Sequence, residues 1–149
     1  MVRLIMGANG AGKTKQLIEL IHSAVESENG SVVCIEPSAD MTYDISYNVR
    51  LVNASEYNVN NYECLRGFIS GLYAGNYDIT HIFIDSLTKI VGVEPTDPSV
   101  ENFLDWLNSF AEKNNLKFTV TISGENASGY AHVYVEGAVH YDDEPAENK

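Results

Sequence analysis

Short apolar runs alternate with amphipathic helical segments along most of the chain, and that alternation limits the fold more than any other feature. Residues 2–6 (VRLIM) and 31–37 (SVVCIEP) are near-continuous apolar runs, as strands buried on both faces are. Residues 49–53 (VRLVN), 81–85 (HIFID) and 117–123 (KFTVTIS) continue the series. Between them the period changes. From Lys13 to about Ser27, the residues Leu17, Leu20, Ile21, Ala24 and Val25 recur at helical spacing, and Asn29-Gly30 stops them. Over 59–75, Leu65, Phe68, Ile69, Leu72 and Tyr73 share one face. Asp97-Pro98 is an N-cap and first-turn pair for a helix presenting Phe103, Trp106, Leu107 and Phe110. Residues 38–48 and 86–97 read as loops. Parallel strands need crossovers, and helices of this length supply them. The expected fold is therefore α/β, a mostly parallel open sheet with helices on both faces and ligands at the carboxyl ends of its strands. GENASG (124–129) reads as a turn with no room for a helix, so 131–141 is predicted to return as an antiparallel strand or hairpin. Residues 1–141 form a single domain in this reading, and 142–149 an acidic tail.

The loop between the first strand and the first helix carries chemistry. Gly7-Ala8-Asn9-Gly10-Ala11-Gly12-Lys13-Thr14 fits G-x-x-x-x-G-K-[ST] throughout. Its glycines reach backbone angles a Cβ forbids, so successive N–H groups can turn inward and cradle phosphate oxygens. A helix beginning near Lys13 adds the positive end of its dipole. In this motif Lys13 reaches the β- and γ-phosphates and the Thr14 hydroxyl binds Mg²⁺; Lys15 follows at the rim.

This stretch resembles the Walker A motif of the P-loop NTPases, and the alternating pattern extends the resemblance from residue 1 to about 123. What it implies is a RecA-like or kinase-like core binding a nucleoside triphosphate with Mg²⁺, similar to minimal stand-alone ATP-binding proteins. Asp85, ending Ile82-Phe83-Ile84-Asp85, then corresponds to the Walker B acid that holds Mg²⁺. Many such ATPases follow that Asp with a catalytic Glu; here Ser86 stands there. Glu36, at the carboxyl end of the second strand, is the best substitute, because RecA-like ATPases can carry their catalytic Glu on a strand neighbouring the P-loop strand. Asp40 and Asp44 are weaker candidates. Ser123, ending the fifth strand, matches the position of a polar side chain that senses the γ-phosphate.

No arginine falls in a finger loop: Arg3, Arg50 and Arg66 lie on or beside strands and a helix. Hydrolysis is expected to be slow, or activated by a protein partner or a second subunit that supplies an arginine. The guanine motif N-K-x-D is missing, which tilts the base toward adenine, with Tyr43 or Tyr47 available for stacking. The expected activity is that of a Mg²⁺-dependent ATP-binding protein and slow ATPase. The alternatives are a small-molecule or nucleoside kinase, which lacks here the zinc ribbon cysteines and arginine-rich lid of such kinases, and a regulatory switch that binds ATP without turnover.

Composition narrows the partners. A net charge of −12, from 9 Lys+Arg against 21 Asp+Glu, argues against tight nucleic-acid binding. No apolar run approaches the roughly 20 residues of a membrane span, and no secretory pattern precedes the glycine loop, so a cytoplasmic location is expected. Two cysteines, Cys34 and Cys64, both read as buried thiols, with no zinc-ligand spacing. Gly67, Gly71 and Gly75 recur every fourth residue on one helix and suggest close packing against the sheet, with a subunit contact as the alternative.

Overall fold

In a computed structural model, residues 1–7, 12–40 and 44–123 are described in full, together with the backbone of 139–140. The elements in chain order are β1 (Val2–Gly7), α1 (Lys13–Ser27), β2 (Ser31–Glu36), β3 (Arg50–Asn53), a 3₁₀ turn (Ala54–Tyr57), α2 (Tyr62–Gly75), β4 (Ile79–Ile84), α3 (Leu87–Val91), α4 (Pro98–Asn114), β5 (Lys117–Ser123) and β6 (Val139–His140).

The strands form one sheet in the order β3-β2-β4-β5-β1-β6, and every pairing is parallel. The β1–α1–β2 crossover runs one way along this order, while β3–α2–β4 and β4–α4–β5 run the other way. A common crossover handedness then puts α1 on one face and the later helices on the opposite one. The core divides accordingly. Leu17, Ile21 and Ala24 of α1 pack on Ile5, Val32, Cys34 and Phe83. Leu65 and Ile69 of α2, Leu87 of α3, and Phe103, Leu104 and Leu107 of α4 pack on Leu4, Met6, Val33, Ile35, Ile82, Ile84, Phe118, Val120 and Ile122. No helix among the described residues is long and apolar enough to cross a membrane.

Local chemistry sets the element ends. Asn61 caps α2, its side chain accepting from Cys64 N, and Asp97 caps α4, accepting from Ser99 N. Asn115, in the left-handed region at φ 57°, ends α4. Gly30 turns the chain into β2 so tightly that a Cβ there would collide with the Asp78 carbonyl and Thr80.

Four expectations change. Val139–His140 lies beside β1 in parallel register, Ile5 opposite Val139 and Met6 opposite His140, not antiparallel. The segment between β5 and β6 is long enough for the crossover that parallel pairing needs, and the expected turn at 124–129 lies outside the described residues. The rest of 131–141 lies outside the described residues, as does the tail. The 86–97 loop contains α3, too short to show a helical period in sequence. Cys64 is exposed, because α2 buries Leu65 and Ile69 and Cys64 sits off that face. Finally, Gly67, Gly71 and Gly75 have no atom of the described residues within 4 Å of a Cβ added at any of them, so they do not pack against the sheet.

Candidate functional site

α1 begins directly at the loop that leaves β1. Its N-cap, Gly12, has φ 88° and ψ 17°, a left-handed conformation that strains any other residue, and offers no side-chain cap to the first N–H groups. Lys13 at the first helical position is buried, 7% exposed, whereas Thr14 and Lys15 are exposed at the rim. Gly7 ends β1 and pairs with Ser123 at the end of β5, so Ser123 stands beside the start of the loop. Ala8, Asn9, Gly10 and Ala11 lie outside the described residues, as does Tyr43; Tyr47 projects into solvent.

Asp85 leaves β4 on the α1 side. Its N–H donates to the Ile35 carbonyl of β2 at 2.9 Å, and its Oδ1 accepts from the Thr121 hydroxyl of β5 at 2.8 Å. The Thr121 oxygen in turn accepts from Ser86 N at 2.7 Å. Ser86 is held at φ 55°, ψ 58°, left-handed for a residue with a Cβ, and its side chain makes no cap for α3. Burial pushes the Asp85 carboxyl above the usual carboxylate range; the Thr121 hydrogen bond and the charges of Lys13 and Lys89 act against that, and Asp40 adds to the rise.

Glu36 ends β2 and is 1% exposed, with Oε1 accepting from Asp40 N at 3.0 Å. Asp40 also accepts from the Ser38 hydroxyl. Cys34, one alternation below Glu36, is buried, and burial together with Asp85 and Glu36 pushes its thiol well above the usual range. It is an inert filler under the acids.

Lys13, Asp85, Glu36 and Ser123 therefore stand at one end of the sheet, the carboxyl ends of β1, β4, β2 and β5. One positional expectation needs correction. β2 does not neighbour β1; β4 and β5 lie between them, so Glu36 adjoins Asp85 and not the strand that feeds the glycine loop. Thr121 and Lys89 complete the constellation and were not singled out in the sequence. The signal for Thr121 was the alternation of β5, in which Lys117, Thr119, Thr121 and Ser123 share one face against Phe118, Val120 and Ile122. Lys89 carries no sequence signal, since residues 86–97 have the pattern of a loop. Arg3 pairs with Thr119, nearer the amino ends of the strands, and Arg50 opens β3 at its amino end.

Chemically, the arrangement offers a buried cation and a buried carboxylate beside a helix N-terminus that has no side-chain cap. Exposed Thr14 and buried Asp85 are hard oxygen donors of the kind Mg²⁺ takes together with water and phosphate. A scan of protein-family models matches none to this chain, and a search of curated proteins finds no relative of significant similarity.

Proposed function

We propose that the chain is a P-loop protein that binds ATP with Mg²⁺ at the carboxyl ends of β1, β4 and β5 and hydrolyses it slowly. The observation that carries this reading is the meeting of buried Lys13, at a glycine-capped helix start, with buried Asp85, raised by burial and drawn down by Lys13. Burying a cation and an acid costs desolvation, and a phosphate–Mg²⁺ ligand that contacts both would offset part of it.

In this reading the N–H groups of the loop and of the first turn of α1 hold the phosphate oxygens, and Lys13 lies along the β- and γ-phosphates. Mg²⁺, when bound, would neutralise charge on those oxygens; Thr14 and Asp85 are the residues that would hold it. The Thr121 hydroxyl fixes the Asp85 carboxylate by donating to Oδ1, leaving Oδ2 free of that bond. Ser123 stands beside Gly7 to contact the terminal phosphate. Glu36, held by the Asp40 N–H, is the general base that takes the proton of the attacking water. With no arginine in a recognisable finger loop of the sequence, turnover by the isolated chain would be about 10⁻⁴ s⁻¹, and a protein partner or second subunit that inserts an arginine would accelerate it about 10³-fold or more.

The test is Mg²⁺-dependent phosphate release by wild type and Glu36→Gln. Gln keeps an oxygen for the Asp40 N–H but is no base. The variant should bind ATP as wild type does and release phosphate about 100-fold more slowly. Undiminished release would remove Glu36 from the mechanism.

A further inference from the structure

On the same sheet face, toward the amino ends of the strands, a cleft of about 750 Å³ opens beside α1. Its floor is Arg3 of β1, Thr119 of β5 and Phe83 of β4 in one row, with Lys117 and His81 in the next. Leu20, Ser23 and Ser27 of α1 form a wall, and Glu28 and Thr80 close one end. β5 lies between β4 and β1, and a central parallel strand covered on both faces is apolar throughout. Here its α1-side face is Lys117 and Thr119.

These polar groups are organised. His81 Nδ1 lies 2.8 Å from Glu28 Oε2, and its Nε2 lies 2.8 Å from the Thr119 hydroxyl. Thr80 donates to Glu28 Oε1 at 2.7 Å, and Lys117 Nζ is 3.2 Å from Oε2. Burial holds His81 below the usual imidazole range; Glu28 opposes this, and Lys117 and Arg3 add to it. The ring is therefore neutral at pH 7. Because the carboxylate only accepts, Nδ1 carries the proton and Nε2 accepts from Thr119. The His81 ring stacks on Phe83, centroids 4.0 Å apart at 15°.

Glu28 is thus already engaged by Thr80, His81 and Lys117. Arg3, half-buried on the cleft floor, has no carboxylate partner among the described residues. In a chain of net charge −12, this guanidinium is uncompensated among the described residues. A planar guanidinium fork matches a carboxylate in bidentate fashion. The volume is that of a small-molecule site, about 300–1,000 Å³, far larger than an inorganic anion, and partly exposed Leu20 on the α1 wall offers it carbon surface. We propose that this cleft binds a small organic carboxylate, with the carboxylate on Arg3 and the apolar body against Leu20. The site is separate from the phosphate end and does not depend on the reading given to that end.

Two-dimensional ¹H–¹⁵N NMR of the full chain, without nucleotide, tests this with benzoate and hexanoate as probes and benzamide and inorganic phosphate as controls. Either carboxylate should produce saturable shifts at the Arg3, His81 and Thr119 amides, and neither control should. Arg3→Gln should weaken binding about tenfold or more, and Arg3→Lys, which keeps the charge without the fork, should fall between. The proposal is overturned by no saturable shift at about 10 mM carboxylate, by equal shifts with benzamide or phosphate, or by unchanged affinity in a folded Arg3→Gln protein.

Discussion

Asp85 shows how one residue trades stability for a site. It is buried beside β5, its carboxyl pushed above the usual range by burial, with Thr121, Lys13 and Lys89 only partly offsetting this. A group whose folded pKa is raised contributes stability that is present below its unfolded value, 3.8, and lost as pH rises through the folded value. At neutral pH the ionised Asp85 therefore costs the free protein stability. Asp85→Asn keeps the acceptor for Thr121 and removes the charge. It should stabilise the free chain by about 1 kcal/mol at pH 7 and abolish Mg²⁺-dependent nucleotide binding. Urea midpoints for both proteins should converge as pH falls toward 3.8. A variant less stable than wild type at pH 7, or a gap that widens in acid, would contradict this account. Ser86, next in the chain, carries its own strain in the left-handed region and spends its N–H on Thr121. The pair is a local violation of ordinary preferences placed beside the site, where strain tends to collect.

At the scale of elements, caps and periods were legible and short or unpaired pieces were not. Asp97-Pro98 marks the start of α4 in the sequence, and Asp97 does accept from Ser99 N. α1 begins at Lys13 and ends at Ser27, as its apolar spacing indicates. α3, only five residues long, has no room to display a period, and β6 pairs according to a connection whose path the turn residues at 124–129 do not reveal. The glycine stripe of α2 misled for a different reason: periodicity says that residues share a face, not whether the face is covered. Gly71, in mid-helix, has no atom of the described residues within 4 Å of an added Cβ. Gly71→Ala should therefore stabilise the protein by about 1 kcal/mol through helix propensity and reduced unfolded-state entropy. Thermal or urea unfolding reads this directly, and a destabilised variant would mean that something packs on that face.

At the scale of the whole molecule, the sheet order decides which residues meet. The alternation of strands and helices conveys a parallel α/β sheet, but not that β4 and β5 stand between β1 and β2. That order moves Glu36 beside Asp85 and brings Thr121 between Asp85 and the strand of the glycine loop. Sequence motifs located Lys13 and Asp85 because each has a local signature, a glycine loop or an apolar strand ending in an acid. Thr121, Lys89 and Arg3 have none; their significance comes from neighbours across strands or on an unrecognised helix. The same α1-side face carries both polar regions, the acids and Lys13 near the carboxyl ends and Arg3, His81 and Thr119 near the amino ends. The central claim concerns the first. Isothermal titration of the chain with ATP, with and without Mg²⁺, beside Lys13→Ala, tests it most directly. The account predicts saturable binding that requires Mg²⁺ and is lost in Lys13→Ala while the variant stays folded. Absence of binding in wild type, or equal binding by Lys13→Ala, would contradict it.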